Sequence, residues 1–248
     1  MKDIIDNFTG LSEVYKKFRP SYPDSLYEEI LKSVNARSAC WDCGTGNGQV
    51  AAALSNHFES VMASDVSHDQ IDLAIKKPNI TYSVQRAGQT DYPDDSFDLV
   101  TVGQAIHWFD HQAFAKEVRR VSKPEGILAF WGYTLLRVNS EIDAIIDHLY
   151  TDITGPYWNK ERDFVEKKYK GIDLDFETIA EFDFEMPYQW SLDAVVGFIN
   201  TWSGLKHYRN ATQNDPLPPI ISELRKVWKE EETRRIVFPG FARIERTG

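Results

Sequence analysis

Short apolar runs alternate with amphipathic segments along the first half of this chain. Residues 38–41, 60–64, 80–85, 97–103 and 127–133 read as strands bounded by glycine, proline and polar turns. Helical spacing appears between them. Residues 25–34 carry Leu26, Ile30, Leu31 and Val34 on one face, residues 49–58 follow a glycine turn, and residues 112–121 end before Ser122-Lys123-Pro124-Glu125-Gly126. Strands alternating with helices predict a parallel sheet covered on both faces. From Thr134 to Asp215 the alternation is lost. Residues 142–150 read as a helix with Ile142, Ile145, Ile146 and Leu149 on one stripe. Residues 182–186 alternate as a strand, and residues 191–201 read as a helix capped by Ser191. A helix over 218–234 and a strand over 235–246, interrupted at Pro239-Gly240, complete the chain.

Composition narrows the function classes. The 248 residues, 42% hydrophobic, suit one large domain with a sizeable core. A net charge of −10 argues against binding a nucleic-acid backbone, which needs clustered Lys and Arg. No run of about 18 apolar residues suggests a membrane span, and Met1 to Asp6 lacks a signal-peptide organisation, so a cytoplasmic location is expected. Cys40 and Cys43 form a C-x-x-C pair. A redox pair should open a helix, but Cys40 falls in a strand and Cys43 in the glycine turn. A zinc site would need two further ligands of matching spacing, so no metal is expected.

The candidate chemistry begins at Asp42-Cys43-Gly44-Thr45-Gly46-Asn47-Gly48, between a strand and a helix. Glycines there let the backbone approach a ligand, and the helix start favours an anionic group. A dinucleotide fingerprint would place its third glycine at position 49, which is Gln. Asp65 lies 21 residues beyond Gly44, where a carboxylate can accept hydrogen bonds from ribose hydroxyls. Its alternative role is a helix N-cap, which Ser67 or Asp69 could equally fill. The strand over 97–103 leads into Gln104-Ala105-Ile106-His107-Trp108-Phe109-Asp110, which concentrates polar and aromatic groups where that strand meets the same crevice. Asp110 reads as a helix cap.

The Asp-x-Gly-x-Gly-x-Gly spacing resembles the first motif of class I S-adenosylmethionine-dependent methyltransferases. Three further strings are similar to the methyltransferase type 11, trans-aconitate methyltransferase-like subgroup. They are Tyr15-x-x-x-Arg19-Pro20-x-Tyr22-Pro23, Gln104-Ala105-x-His107-Trp108-Phe109-Asp110 and the Lys-Pro-Glu-Gly turn. The resemblance covers about Tyr15 to Tyr133. It implies a doubly wound, mostly parallel seven-stranded α/β sheet, with residues 182–187 and 236–244 paired as an antiparallel edge hairpin. It also implies S-adenosyl-L-methionine as cofactor and S-adenosyl-L-homocysteine as product. Within a single domain, residues 1–36 would form lid helices, 37–133 the cofactor core, 134–215 a substrate cap, and 216–248 the last helix and edge strand.

Cofactor candidates are then Tyr15, Arg19, Asp42, Gly44, Gly46, Gly48, Asp65, Val66, Ala87, Gln89 and Gln104. Gly88 stands where related proteins carry an acid, which leaves adenine contact to backbone groups or Gln89. Substrate candidates are Tyr22, His107, Trp108, Trp131, Trp202 and Tyr208. The last stands with Trp202 in Thr201-Trp-Ser-Gly-Leu-Lys-His-Tyr208, which also resembles a subgroup string. His107 is the catalytic candidate, as a base or as a group that positions substrate. Arg137, Lys206, His207 and Arg209 could supply cations to an acidic substrate, without any sign that they converge. The expected reaction is methyl transfer to an oxygen of a small molecule, by a monomer or weak dimer with no nucleic-acid or membrane partner. The alternative is a protein that binds the cofactor without catalysis.

Overall fold

A computed structural model describes residues 20–229 and 231–248. Tyr15, Arg19 and the helix expected near residues 12–18 lie outside them. Seven strands form one sheet: β1 (Ala39–Cys43), β2 (Ser60–Asp65), β3 (Ile80–Val84), β4 (Phe97–Gly103), β5 (Ser122–Tyr133), β6 (Glu177–Ser191) and β7 (Thr233–Arg246). Their spatial order is β3-β2-β1-β4-β5-β7-β6. The first five run parallel, while β7 is antiparallel to both β5 and β6. The described helices are α1 (Asp24–Leu31), α2 (Gln49–Leu54), α3 (His68–Asp72), α4 (His111–Val121), α5 (Ser140–Asp147), α6 (Arg162–Glu166), α7 (Leu192–Ile199), α8 (Ser203–Thr212) and α9 (Leu217–Val227).

Alternation along the central strands supplies both faces of the sheet. Cys40, Leu99, Ile127, Ala129 and Trp131 pack with α1 and α2 on one side. Trp41, Val100, Val102, Leu128 and Phe130 pack with α4 on the other. Strands buried on both faces read as continuous apolar runs, which is how β4 and β5 appear in the sequence. The Lys-Pro-Glu-Gly turn bulges out of the ladder, since Phe97 pairs with Ser122 but Leu99 with Ile127. Lys123 in that turn donates to Asp98 at 2.8 Å, and Asp98 also accepts the N–H groups of Ser38 and Ala39.

A third apolar cluster stands apart from these two. The ladder between β6 and β7 continues from Phe184↔Gly240 to Ser191↔Thr233, beyond the last β5 partner at Tyr133↔Gly240. This two-stranded extension contributes Met186, Ile236 and Phe238 to a core completed by Ile142, Ile146, Phe198, Trp202, Leu205, Ile220 and Leu224 from α5 and α7–α9.

Several boundaries differ from expectation. Strand β1 extends through Asp42 and Cys43, so Cys43 sits in the strand and not in the turn. Helix α2 stops at Leu54, short of 58, and α9 stops at Val227, short of 234. Strand β6 has 15 residues, not five. Strand β7 passes through Pro239-Gly240 without interruption. The reason is local: a Cβ at Gly240 would lie 2.4 Å from the Phe184 ring, so the glycine makes room for an aromatic side chain across the ladder. The Pro239 carbonyl meanwhile accepts the Thr134 N–H at 2.9 Å. The caps assigned to Asp110 and Ser191 are present, accepting from the N–H groups of Ala113 and Ala194.

Candidate functional site

The strand order reverses between β1 and β4, and a cavity of about 170 Å³ opens at their carboxyl ends. Open α/β sheets place ligands at such a reversal. The turn after β1 forms its floor. Gly44, Gly46 and Gly48 all have positive φ. A Cβ at Gly44 would stand 2.7 Å from that of Ala105, so this glycine lets two strand ends close together. Among the described residues, a Cβ at Gly46 would meet only Gln70, at 3.8 Å, and Gly46 lines the cavity. Gly48 does not line the cavity; its missing side chain is replaced by the Tyr82 ring.

The turn offers shape more than donors. Gly44 and Thr45 donate their N–H groups to the Ser64 carbonyl at 2.8 and 3.0 Å, and Gly48 donates to that of Thr45. The Gly46 N–H goes to Asp65 Oδ2 at 2.9 Å, while Asp65 Oδ1 accepts from Ser67 N at 2.9 Å. Asp65 thereby braces the glycine turn against the start of α3, and its carboxylate also lines the cavity. Beneath it, Asp42 is fully enclosed and accepts from Thr45, Thr101 and the Ala51 N–H. Burial pushes its carboxyl up to about 6, against the hydrogen bonds that hold it down.

A second cavity, about 60 Å³, adjoins the first. Gln104, Trp108 and Tyr133 line both and form the wall between them. Gln104 is spent on architecture: its carboxamide exchanges hydrogen bonds with the backbone N–H and carbonyl of Tyr133, at 2.8 and 3.2 Å. His107 lines the second cavity only, with Nδ1 3.1 Å from the Tyr169 hydroxyl. Burial pushes that phenol well up, so Tyr169 stays neutral. The remaining wall comes from Tyr150, Trp158, Arg162, Phe198 and Trp202.

Among the sequence candidates, the first cavity brings together Asp42, Gly44, Gly46, Asp65, Val66, Ala87, Gln104, Tyr22 and Trp108. His107, Trp108 and Trp202 meet at the second. Four candidates line neither, Gly48 in the turn among them. Trp131 is fully buried, packed edge-on against Tyr22 and Tyr27, because β5 points it into the core beneath the wall. Gln89 is exposed; Gln85, at the end of β3, lines the cavity in its place. Tyr208 packs against Tyr157 on α8. Gly88 has a packing cause: a Cβ there would lie 2.7 Å from that of Ala113, leaving no room for an acidic side chain beside α4.

The cap cations also pair elsewhere, Arg137 with Asp147 at 2.7 Å and Arg209 with Asp215 at 2.9 Å. Arg162 reaches the second cavity instead. No periodicity singles it out, since it opens the five-residue helix α6. Ser67, Gln70 and Phe109 also line the first cavity, though no sequence signal singles them out, and among the described residues the enclosed Ser67 Oγ has no hydrogen-bond partner. Cys40 and Cys43 are free thiols, both pushed well up by burial, and no cluster of metal-ligating residues exists among the described residues. No helix among the described residues is long and apolar enough to cross a membrane.

Comparison with known proteins places these features in a family. A family model described as a methyltransferase domain matches residues 41–130, which run from β1 into β5. A solved structure from Anaeromyxobacter dehalogenans, assigned as a type II methyltransferase, superposes with a TM-score of 0.86 at 36% identity, covering 93% of this chain and 98% of that one. A Saccharomyces cerevisiae protein assigned as an S-adenosylmethionine-dependent methyltransferase is 29% identical over 48% of this chain and 44% of its own length. A Dictyostelium discoideum protein assigned to the methyltransferases is 34% identical over 228 residues, spanning 90% of this chain and 87% of its own. Matched over nearly its whole length in both sequence and fold, the chain belongs to the class I S-adenosylmethionine-dependent methyltransferases.

Proposed function

We propose that the first cavity holds S-adenosylmethionine, that the second holds the acceptor, and that methyl passes between them to an oxygen of a small molecule by in-line displacement. One observation carries this reading: two cavities of different chemistry share the wall made by Gln104, Trp108 and Tyr133. The fit to the cofactor rests on the open face of Gly46, the Asp65 carboxylate at the same cavity, and the unpartnered Ser67 Oγ. Asp65 and Ser67 would take the ribose hydroxyls, and Val66 and Ala87 would pack against the base. When bound, the cofactor supplies an electrophilic methyl group on a sulfonium.

The chain's own residues orient the acceptor and exclude water, since the bound geometry sets the rate of such a displacement. Trp108 screens the passage. His107, fixed by Tyr169, positions the acceptor oxygen or takes its proton when that oxygen is a hydroxyl. A carboxylate acceptor needs no base. In this reading residues 134–215 act as the substrate cap. The reading takes the protein as a monomer or weak dimer in the cytoplasm, and the net charge of −10 supports the absence of a nucleic-acid partner.

Calorimetric titration with S-adenosylmethionine and S-adenosylhomocysteine tests the first step, with micromolar binding expected. Transfer of labelled methyl to small acids and hydroxyl compounds tests the second. Folded protein that binds neither cofactor form would sink the assignment of the first cavity. Transfer only to nitrogen would sink that of the acceptor atom.

A further inference from the structure

Resting on that reading of the second cavity, we propose that its ligand is a compact carboxylic acid carrying a hydroxyl or amino donor beside the carboxylate. Arg162 would clasp the carboxylate and Asn159 would accept from the donor. Both residues line the cavity. They are one turn apart, since Arg162 N donates to the Asn159 carbonyl at 2.9 Å.

The guanidinium is held from the side. Its Nε donates to the Tyr150 hydroxyl at 2.8 Å and to Glu166 Oε1 at 3.2 Å, while Tyr150 and Glu166 bond to each other. The group also lies over the Trp158 ring at 5.3 Å and the Tyr150 ring at 5.6 Å. Among the described residues, neither terminal nitrogen has a hydrogen-bond acceptor. A guanidinium braced at Nε, with its forked end unspent, suits a carboxylate bound through two parallel hydrogen bonds. Glu166 and Tyr150 therefore aim the cation without occupying it.

Asn159 adds a complementary demand. Its Oδ1 is enclosed and, among the described residues, has no donor. A buried acceptor left unmatched is costly, so a ligand that brings an O–H or N–H there gains over one that does not. Size sets the third limit. At about 60 Å³ the cavity is under half of the roughly 150 Å³ that accommodates a benzene ring, so a short chain fits better than an arene. Trp158, Trp202 and Phe198 then pack against the carbon skeleton.

The test uses full-length protein saturated with S-adenosylhomocysteine and four probes: lactate, alanine, propionate and lactamide. Lactate or alanine should bind more tightly than propionate, which lacks the donor, and than lactamide, which lacks the charge, by about 10- to 100-fold. Which of the first two wins distinguishes a hydroxyl from an ammonium donor. Arg162→Gln should erase the preference for lactate over lactamide. Asn159→Ala should erase the preference for lactate over propionate. In both variants the affinity for S-adenosylhomocysteine should stay at the wild-type value and thermal unfolding should stay cooperative, which separates lost recognition from lost folding. Arg162→Lys, which keeps the charge but not the fork, should restore only part of the preference. Lactamide binding as well as lactate, or no binding by any acid to the loaded protein, would overturn the proposal. Failure to take up S-adenosylhomocysteine at all would instead remove the reading on which it rests.

Discussion

The two cavities share a wall but are built from different materials. The first is made by main chain at the ends of adjacent strands, and its floor closes because three glycines adopt positive φ. The second is made by side chains from the turn after β4, the segments after β5, α6 and α7, brought together by the third apolar cluster and by the cluster on the α4 side of the sheet. A backbone-built site depends on local conformation and so leaves a compact motif. A side-chain site depends on long-range packing and leaves scattered residues. On the proposed assignment the first keeps one ligand while the second is free to vary, as when one fold supports different acceptors.

Substitutions should keep the two sites energetically separate, and the largest effect is expected at the glycine floor. Gly44→Ala places a Cβ against Ala105 at a positive-φ position. Left-handed strain of about 1–2 kcal/mol plus overpacking of about 1–3 kcal/mol should lower stability measurably in urea unfolding and abolish cofactor binding. A variant that melts and binds like wild type would show that the turn is not fixed by this contact. Asp65→Ala should follow, weakening S-adenosylmethionine binding by about 1–3 kcal/mol, because it removes a ligand contact and the brace on Gly46 and Ser67 together. Unchanged affinity in folded protein would take Asp65 out of the site.

Next, His107→Gln should cut turnover about 10- to 100-fold if it positions substrate, and more if it moves a proton, with cofactor affinity held. An equal loss of cofactor affinity would break the separation of the two cavities. The smallest effect is electrostatic. The Asp42 carboxyl titrates higher in the folded protein than in the unfolded chain. Between the ordinary Asp range and about pH 6 the folded state holds the extra proton, so this group's contribution to stability falls as pH rises through that window. Asp42→Asn should flatten that part of the stability–pH curve, measured as melting temperature from pH 4 to 7. An unaltered curve would remove Asp42 as its cause.

The same division explains what could be read from the sequence. Strand β4 was bounded correctly, and the Asp110 and Ser191 caps were identified, because each is decided by a few adjacent residues. The pairing of residues 182–187 with 236–244 also appears as expected. Pro239-Gly240 misled because its compensation, the Phe184 ring, lies on another strand. Trp131 misled for a related reason: alternation along β5 gives a side-chain face but not the tyrosines waiting on it. Gly88 looked like a missing acid until Ala113 stood beside it. Arg162 carries no mark in the sequence because α6 is only five residues long, too short for a helical stripe, and only folding carries it to Trp108.

The paired extension of β6 and β7 has an evolutionary consequence. Phe198, Trp202 and Ser203 of the second cavity lie on the segment that joins β6 to β7, a ribbon whose register beyond β5 is set by its own ladder. Insertions, deletions and recombination in the segments it carries can accumulate without disturbing strand pairing around the glycine turn. Lineages descending from a common ancestor can thus exchange what they recognise while inheriting one unaltered source of reactivity. A chimera joined within that ribbon would carry a new specificity into an old machine.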